Sequence, residues 1–208
     1  NITVFSFHPV KIITTAEGGL ATTNSKKLAE KMALYRTHGI TRDQSLMTKQ
    51  DHGPWYYEQI TLGFNYRMTE LQAALGISQM KRLNEFITKR HILQERYDEL
   101  LSDFPVITPY QDQDCYSALH LYPIQIDLDM IAKSRLQIFM ELRQNGIGVN
   151  VHYIPIHTQP YFQQLDSKIG NFPNSEYYYN RVISIPLFYS LTLNQQDEVC
   201  DKLKRALE

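Results

Sequence analysis

Fifteen residues near the start of the chain limit its fold more than any others: Phe5-Ser6-Phe7-His8-Pro9-Val10-Lys11-Ile12-Ile13-Thr14-Thr15-Ala16-Glu17-Gly18-Gly19. Phe5, Phe7 and Val10 are apolar with Ser6 and His8 between them, and a β-branched run resumes after Lys11, which predicts two buried strands with a short break. An ammonium between such neighbours is costly to bury unless it is paired or loses its charge. Either the stem bends to bring the ammonium to water, or desolvation favours the neutral amine, the nucleophilic form that condenses with an aldehyde. Gly18-Gly19 makes the turn into a further strand ending at Thr23.

Downstream, helical and extended patterns alternate. A helix is expected from Ser25 to Thr37, capped by Asn24 or Ser25 and stopped at Gly39. Ile40 to Gly63, with Gly53-Pro54 and Trp55-Tyr56-Tyr57, reads as a long loop. Thr69 and Gln72 form a capping box for the longest helix, which follows Leu71, Leu75, Met80, Leu83, Phe86 and Ile87, straight or with a bend, to Leu101. His120–Asp127 predicts a strand that Pro123 marks as an edge or a bulge. A helix over Arg135–Gln144 presents Leu136, Phe139 and Leu142 inward, and a strand covers Ile147–Tyr153. A tyrosine-rich helix at Asn174–Val182, a strand at Ser184–Leu187 and a helix capped by Thr192 and Gln195 complete the chain. This predicts an α/β fold with residues 1–80 in one domain and 81–208 in a small α+β domain.

Charge and cysteine content exclude several classes. Lys and Arg number 21 against 22 Asp and Glu, a net charge of −1 that leaves no broad basic footprint for nucleic acid. Cys115 and Cys200 lie far apart without metal-ligand spacing, which suits free thiols in a reducing cytoplasm. No apolar run reaches membrane-spanning length. His152 and His157, five residues apart and without a third ligand, do not make a metal site. With Tyr153 and Tyr161 they suit stacking on a base and hydrogen bonding to phosphate or sugar, or else packing as aromatic core. Asn65 and Arg67 precede a helix N-terminus, where they either hold an anion or only anchor the turn.

Two motifs carry a resemblance. Ser6-Phe7-His8-Pro9-Val10-Lys11, followed by Ile-Thr-Thr-Ala-Glu-Gly-Gly, resembles the cofactor-lysine segment of the DegT/DnrJ/EryC1/StrS family of pyridoxal-phosphate-dependent nucleotide-sugar aminotransferases. Gly63-Phe64-Asn65-Tyr66-Arg67 with Leu71-Gln72-Ala73-Ala74 resembles a second motif of that family. The resemblance implies a fold-type I, aspartate aminotransferase-like architecture. Residues 1–80 would be the C-terminal part of the large cofactor domain, without its N-terminal part, and 81–208 the small domain, entered by a long helix. It implies that Lys11 holds pyridoxal 5'-phosphate covalently and that Ser6 binds its phosphate. Asn65 would reach the cofactor phosphate of the partner in a homodimer with shared active sites. Arg67 would be a second anion contact or an ion pair, and His8, His152, Tyr153 and His157 would face the substrate. Members more often carry Gly where this chain has Ala16.

Within the family, Ser-Phe-His-Pro-Val-Lys, Gly-Pro-Trp-Tyr-Tyr-Glu and Val-His-Tyr-Ile-Pro-Ile are most similar to the branch serving pseudaminic acid synthesis. That implies transfer of an amino group from L-glutamate to C4 of a UDP-linked 4-keto-6-deoxy sugar, for a surface polysaccharide. The family's nucleotide-sugar loop and pyridinium partner come earlier than this segment, so the 208-residue chain alone is expected to be inactive. A sugar dehydratase of the same family typically has histidine in place of the lysine, and Lys11 counts against it. A non-catalytic member that binds a sugar nucleotide or a protein partner is the other alternative.

Overall fold

Pro9 decides how the first strand ends. In the computed structural model, which describes residues 1–49, 53–165 and 168–208, strand β1 (Thr3–Ser6) pairs antiparallel with β2 (Gly19–Thr22), Phe5 opposite Leu20. The fixed φ of Pro9 suits the second position of a turn, and Lys11 N–H closes that turn on His8 O at 2.9 Å. The chain then folds back: Thr15 N–H and Thr14 Oγ1 both donate to Phe7 O, at 3.0 and 2.9 Å. The β-branched run is therefore spent on the strand end and forms no strand of its own. The expected burial is corrected too, because every residue of β1 and β2 is exposed: this two-stranded ribbon is not covered on both faces.

Helix α1 (Lys26–Arg36) starts at Ser25, whose Oγ accepts Leu28 N–H at 3.4 Å. Gly39 follows with φ +70°, and a Cβ there would lie 1.9 Å from Thr61 O, so both conformation and space demand glycine. The expected loop contains a ribbon, β3 (Ile40–Thr41) paired with β4 (Glu58–Gln59); residues 50–52 lie outside the described residues. The Glu58 carboxylate gathers Thr48 N–H, Lys49 N–H and Tyr56 Oη at 2.7, 2.8 and 2.9 Å. These donors, Thr48 N–H foremost, pull its pKa down to about 2. Helix α2 (Glu70–Met80) opens with the expected Thr69–Gln72 capping box.

The chain forms two compact units, Asn1–Leu83 and Asn84–Glu208. The long helix is in fact two, α2 and α3 (Leu83–Leu100): Arg82 N–H bonds to Gln79 O, a tightened turn that ends α2. Leu71 and Ile77 on α2 are largely exposed, whereas α3 buries Phe86, Leu93 and Tyr97 at helical spacing.

The second unit is built on a three-stranded antiparallel sheet of β5 (Val106–Ile107), β6 (Tyr122–Ile126) and β7 (Val182–Ile185), in that order. Pro123 thus sits in the central strand, contrary to expectation. It is tolerated because β5 pairs only with Gln125 and Ile126, so no ladder on that side asks for the missing N–H. Helix α4 (Arg135–Gln144) has a Ser134–Gln137 capping box and buries Ile138 and Leu142, an i, i+4 pair, leaving Leu136 exposed rather than inward. The strand expected at Ile147–Tyr153 reduces to one bridge, Asn150 with Ser184; Ile147 and Val149 turn into the core. A 3₁₀ turn (Ile156–Thr158) and the short α5 (Pro160–Gln163) precede α6 (Pro173–Arg181). Helix α6 runs directly into β7, which starts two residues earlier than expected and is fully buried. The amphipathic α7 (Leu193–Leu207), capped by Thr192 and Gln195, closes the core with Val199, Leu203 and Ala206. Among the described residues, no helix is long and apolar enough to cross a membrane.

Candidate active site

Sequence-predicted residues fall in both units. In the first, Ser6, His8 and Lys11 share the β1–β2 hairpin. Ser6 ends β1, and its Oγ accepts a long bond from His8 N–H at 3.5 Å, leaving its own O–H to donate. His8 Nε2 lies 3.8 Å from Glu17 Oε1, with both side chains largely in solvent. Lys11 is half-buried at the turn. The desolvation expected from its apolar neighbours is therefore partial, because Pro9 and Val10 project outward.

The hairpin is held in place by polar side chains. Thr15, only 2% exposed, donates Oγ1 to Glu17 O at 2.8 Å, and the same carbonyl accepts Gln72 Nε2 at 2.9 Å. Gln72 thus serves twice, as the capping residue of α2 and as a tie to the loop carrying Lys11. The capping-box pattern identified Gln72, but no local pattern could reveal a bond to a residue 55 positions away. Gly76 lets α2 approach, since a Cβ there would lie 2.8 Å from Thr15 Cγ2. Ala16 has φ +67°, a conformation in which glycine avoids a penalty of about 1 kcal/mol. That is the physical content of its departure from the family pattern.

Asn65 and Arg67 are exposed on the segment leading into α2. That segment is zipped to the end of α1 by an Asn65–Thr37 bridge and by Phe64 N–H to Tyr35 O and Tyr66 N–H to Arg36 O, at 2.7 and 3.0 Å. An apolar groove of about 440 Å³ lies between hairpin and α2, lined by Phe7, Ile13, Leu20, Met68 and Ile77.

In the second unit, His152 Nδ1 is 2.8 Å from Ser184 Oγ, and its ring meets Tyr153 edge to face at 4.6 Å. Tyr153 is 65% exposed, whereas His157 is buried, bonded through Nε2 to Glu176 Oε1 at 2.8 Å and tilted against Phe172. A cleft of about 550 Å³ opens here, lined by Tyr153, Ile156, His157, Phe162, Phe172 and Tyr178. Burial raises the Tyr178 phenol. The aromatic cluster is thus neither closed core nor open surface but the wall of a cleft. Glu176 and Ser184, which fix the two histidines, escaped the sequence reading because nothing in their own neighbourhoods marks them.

The residues on the hairpin fit a phosphorylated aldehyde: a primary amine that can condense with the carbonyl, and a hydroxyl with its proton free to bond a phosphate oxygen.

The sequence profile described as the DegT/DnrJ/EryC1/StrS aminotransferase family matches residues 1–204, and the chain belongs to that family. It is 36% identical over 205 residues to the spore coat polysaccharide biosynthesis protein SpsC of Bacillus subtilis, covering 97% of this chain and 52% of SpsC. It is 35% identical over 209 residues to the UDP-4-amino-4,6-dideoxy-N-acetyl-beta-L-altrosamine transaminase of Helicobacter pylori, covering 99% and 52%. Among solved structures, Helicobacter pylori PseC, an aminotransferase involved in the biosynthesis of pseudoaminic acid, superposes with a TM-score of 0.86 at 34% identity, over 99% of this chain and 53% of that one. Streptococcus pneumoniae Spr1654 in its PLP-form gives 0.87 at 27%, over 99% and 51%. The fold is that of the fold-type I sugar aminotransferases, whose cofactor is pyridoxal phosphate. The chain spans about half the length of the curated relatives it matches.

Proposed function

We propose that this chain is the C-terminal portion of a pyridoxal-phosphate-dependent sugar aminotransferase. The enzyme would work as a cytoplasmic homodimer and transfer the amino group of L-glutamate to C4 of a UDP-linked 4-keto-6-deoxy sugar, in synthesis of a pseudaminic-acid-type glycan. The observation that carries this reading is Lys11, set at the hairpin turn and tied through Glu17 and Gln72 to α2, in a chain matched to the family over residues 1–204. The similarity to the transaminase and to PseC supports the branch. In this reading the first unit belongs to the large cofactor domain and the second is the small domain. The exposed apolar side chains of β1, β2 and α2 accord with that placement.

When bound, the cofactor supplies an electron sink for the carbanion that forms as the donor loses its α-proton. This chain's residues position and move protons around it. Lys11 Nζ would hold the cofactor by its aldehyde carbon, and its amine would be released when the amino donor binds. The freed amine then takes the proton from the donor's α-carbon and, in the reverse half-reaction, delivers one to C4 of the sugar. Ser6 Oγ donates to the cofactor phosphate. Asn65 of each copy completes the neighbour's phosphate site, with Arg67 adding positive charge beside a helix N-terminus. His8 and the cleft around Tyr153 and His157 bind the sugar nucleotide, with His152 behind Tyr153. In this reading residues 1–208 alone do not turn over.

The test is turnover by the protein that carries this segment together with the rest of the large domain, with a UDP-4-keto-6-deoxy sugar and L-glutamate, read as 2-oxoglutarate formed. Activity that vanishes in Lys11→Ala is expected; full turnover in that variant would refute the assignment.

A further inference from the structure

One carboxylate oxygen in the second unit does two jobs. Glu176 Oε1 accepts His157 Nε2 at 2.8 Å and Gly170 N–H at 2.7 Å. A carboxylate can only accept, so Nε2 carries the ring proton. Phe172, 4.8 Å away and tilted against the ring, limits its rotation. His157 is 7% exposed, and what remains open belongs to the cleft wall. Among the described residues, Nδ1 neither bonds within the protein nor is sealed away unpaired. The Gly170 N–H, and then His157, hold the Glu176 carboxyl below the usual carboxylate range, so the acceptor stays charged near neutrality.

We propose that Glu176 is a positioning residue: it locks His157 in the Nε2–H tautomer and leaves Nδ1 to accept a hydrogen bond from a hydroxyl group of the ligand in the cleft. The ligand half rests on the sugar-nucleotide reading above; the tautomer half does not. A ribose or hexose hydroxyl can donate to the lone pair on Nδ1. A fully ionised phosphate, an acceptor only, cannot. In this proposal Nδ1 meets a hydroxyl of the sugar nucleotide rather than its phosphates. Among the described residues, the other titratable groups on its wall are the phenols of Tyr153 and Tyr178, with the His152 ring edge to face with Tyr153.

The test is long-range ¹H–¹⁵N spectroscopy of the 208-residue chain with ¹⁵N-histidine at pH 8. Wild type should show His157 as a single Nε2–H tautomer. Glu176→Gln should keep it, because an amide oxygen accepts the same bond, and Glu176→Leu should give a mixture. A wild-type ring that is mixed or protonated on Nδ1, or a tautomer unchanged in Glu176→Leu, overturns the positioning role. Should Glu176→Leu fail to fold, the wild-type tautomer and its retention in Glu176→Gln decide. Titration with uridine should move the Nδ1 resonance and inorganic phosphate should not. Movement with phosphate, or with neither probe, overturns the hydroxyl assignment. None of these readouts depends on whether Lys11 holds a cofactor.

Discussion

The two units of this chain are held together by different forces. Every buried hydrophobic residue described lies between Phe86 and Leu207, within the second unit. Among the described residues of the first, the buried side chain is Thr15, and Val4, Val10, Leu62 and Leu71 are all more than 60% exposed. What orders the first unit is hydrogen bonding aimed at backbone: Thr14 on Phe7 O, Thr15 and Gln72 on Glu17 O, Gln59 on His38 O, and Glu58 on Thr48 and Lys49 N–H. Apolar packing is strong and non-directional, whereas such bonds are individually modest but fix geometry. The unit carrying Lys11 is thus shaped bond by bond, and the other unit by a core.

That contrast predicts a graded set of responses. Leu203 is fully buried in the second unit, and Leu203→Ala should cost about 2–5 kcal/mol in denaturant unfolding, through lost contacts and a cavity; a loss below about 1 kcal/mol would deny that unit its core. Gly76→Val should cost about 1–3 kcal/mol by driving α2 off Thr15, read as faster hydrogen exchange at the Thr15 amide, which bonds to Phe7 O. Unchanged exchange would mean the hairpin does not depend on α2.

A smaller, local effect follows from Glu58. Its folded pKa of about 2 lies below the ordinary 4.5, so its bonds stabilise the Thr48–Glu58 contacts above pH 4.5 and are lost as pH falls towards 2. Fluorescence of Trp55, the single tryptophan, should report an acid transition in that window, absent in Glu58→Gln. Least of all, Leu71→Ala, at a side chain 85% exposed, should change stability by no more than about 0.5 kcal/mol. A cost like that of Leu203→Ala would erase the contrast.

How far the sequence could be read follows the same division. Helix starts were legible because caps are local: Ser25, Thr69 and Thr192 each bond to a backbone N–H three residues on. Strands were less so. The β-branched Ile12–Thr15 looks extended, but its fate turns on Phe7 O, and Ile147–Tyr153 has strand composition with a partner only at Ser184. Pro123 misled because whether a proline is tolerated depends on how far the neighbouring strand reaches. At the candidate site, Lys11 stood out by its neighbours, whereas Gln72 to Glu17 and Glu176 to His157 join residues 55 and 19 apart, which no local period encodes.

In the proposed function the hairpin presents Lys11 to pyridoxal phosphate. The most direct measurement is to mix the chain with substoichiometric pyridoxal phosphate, reduce with borohydride and map the modified peptide. An adduct concentrated on Lys11 is expected. Labelling of Lys11 no greater than that of the surface lysines Lys26 and Lys81 would contradict it.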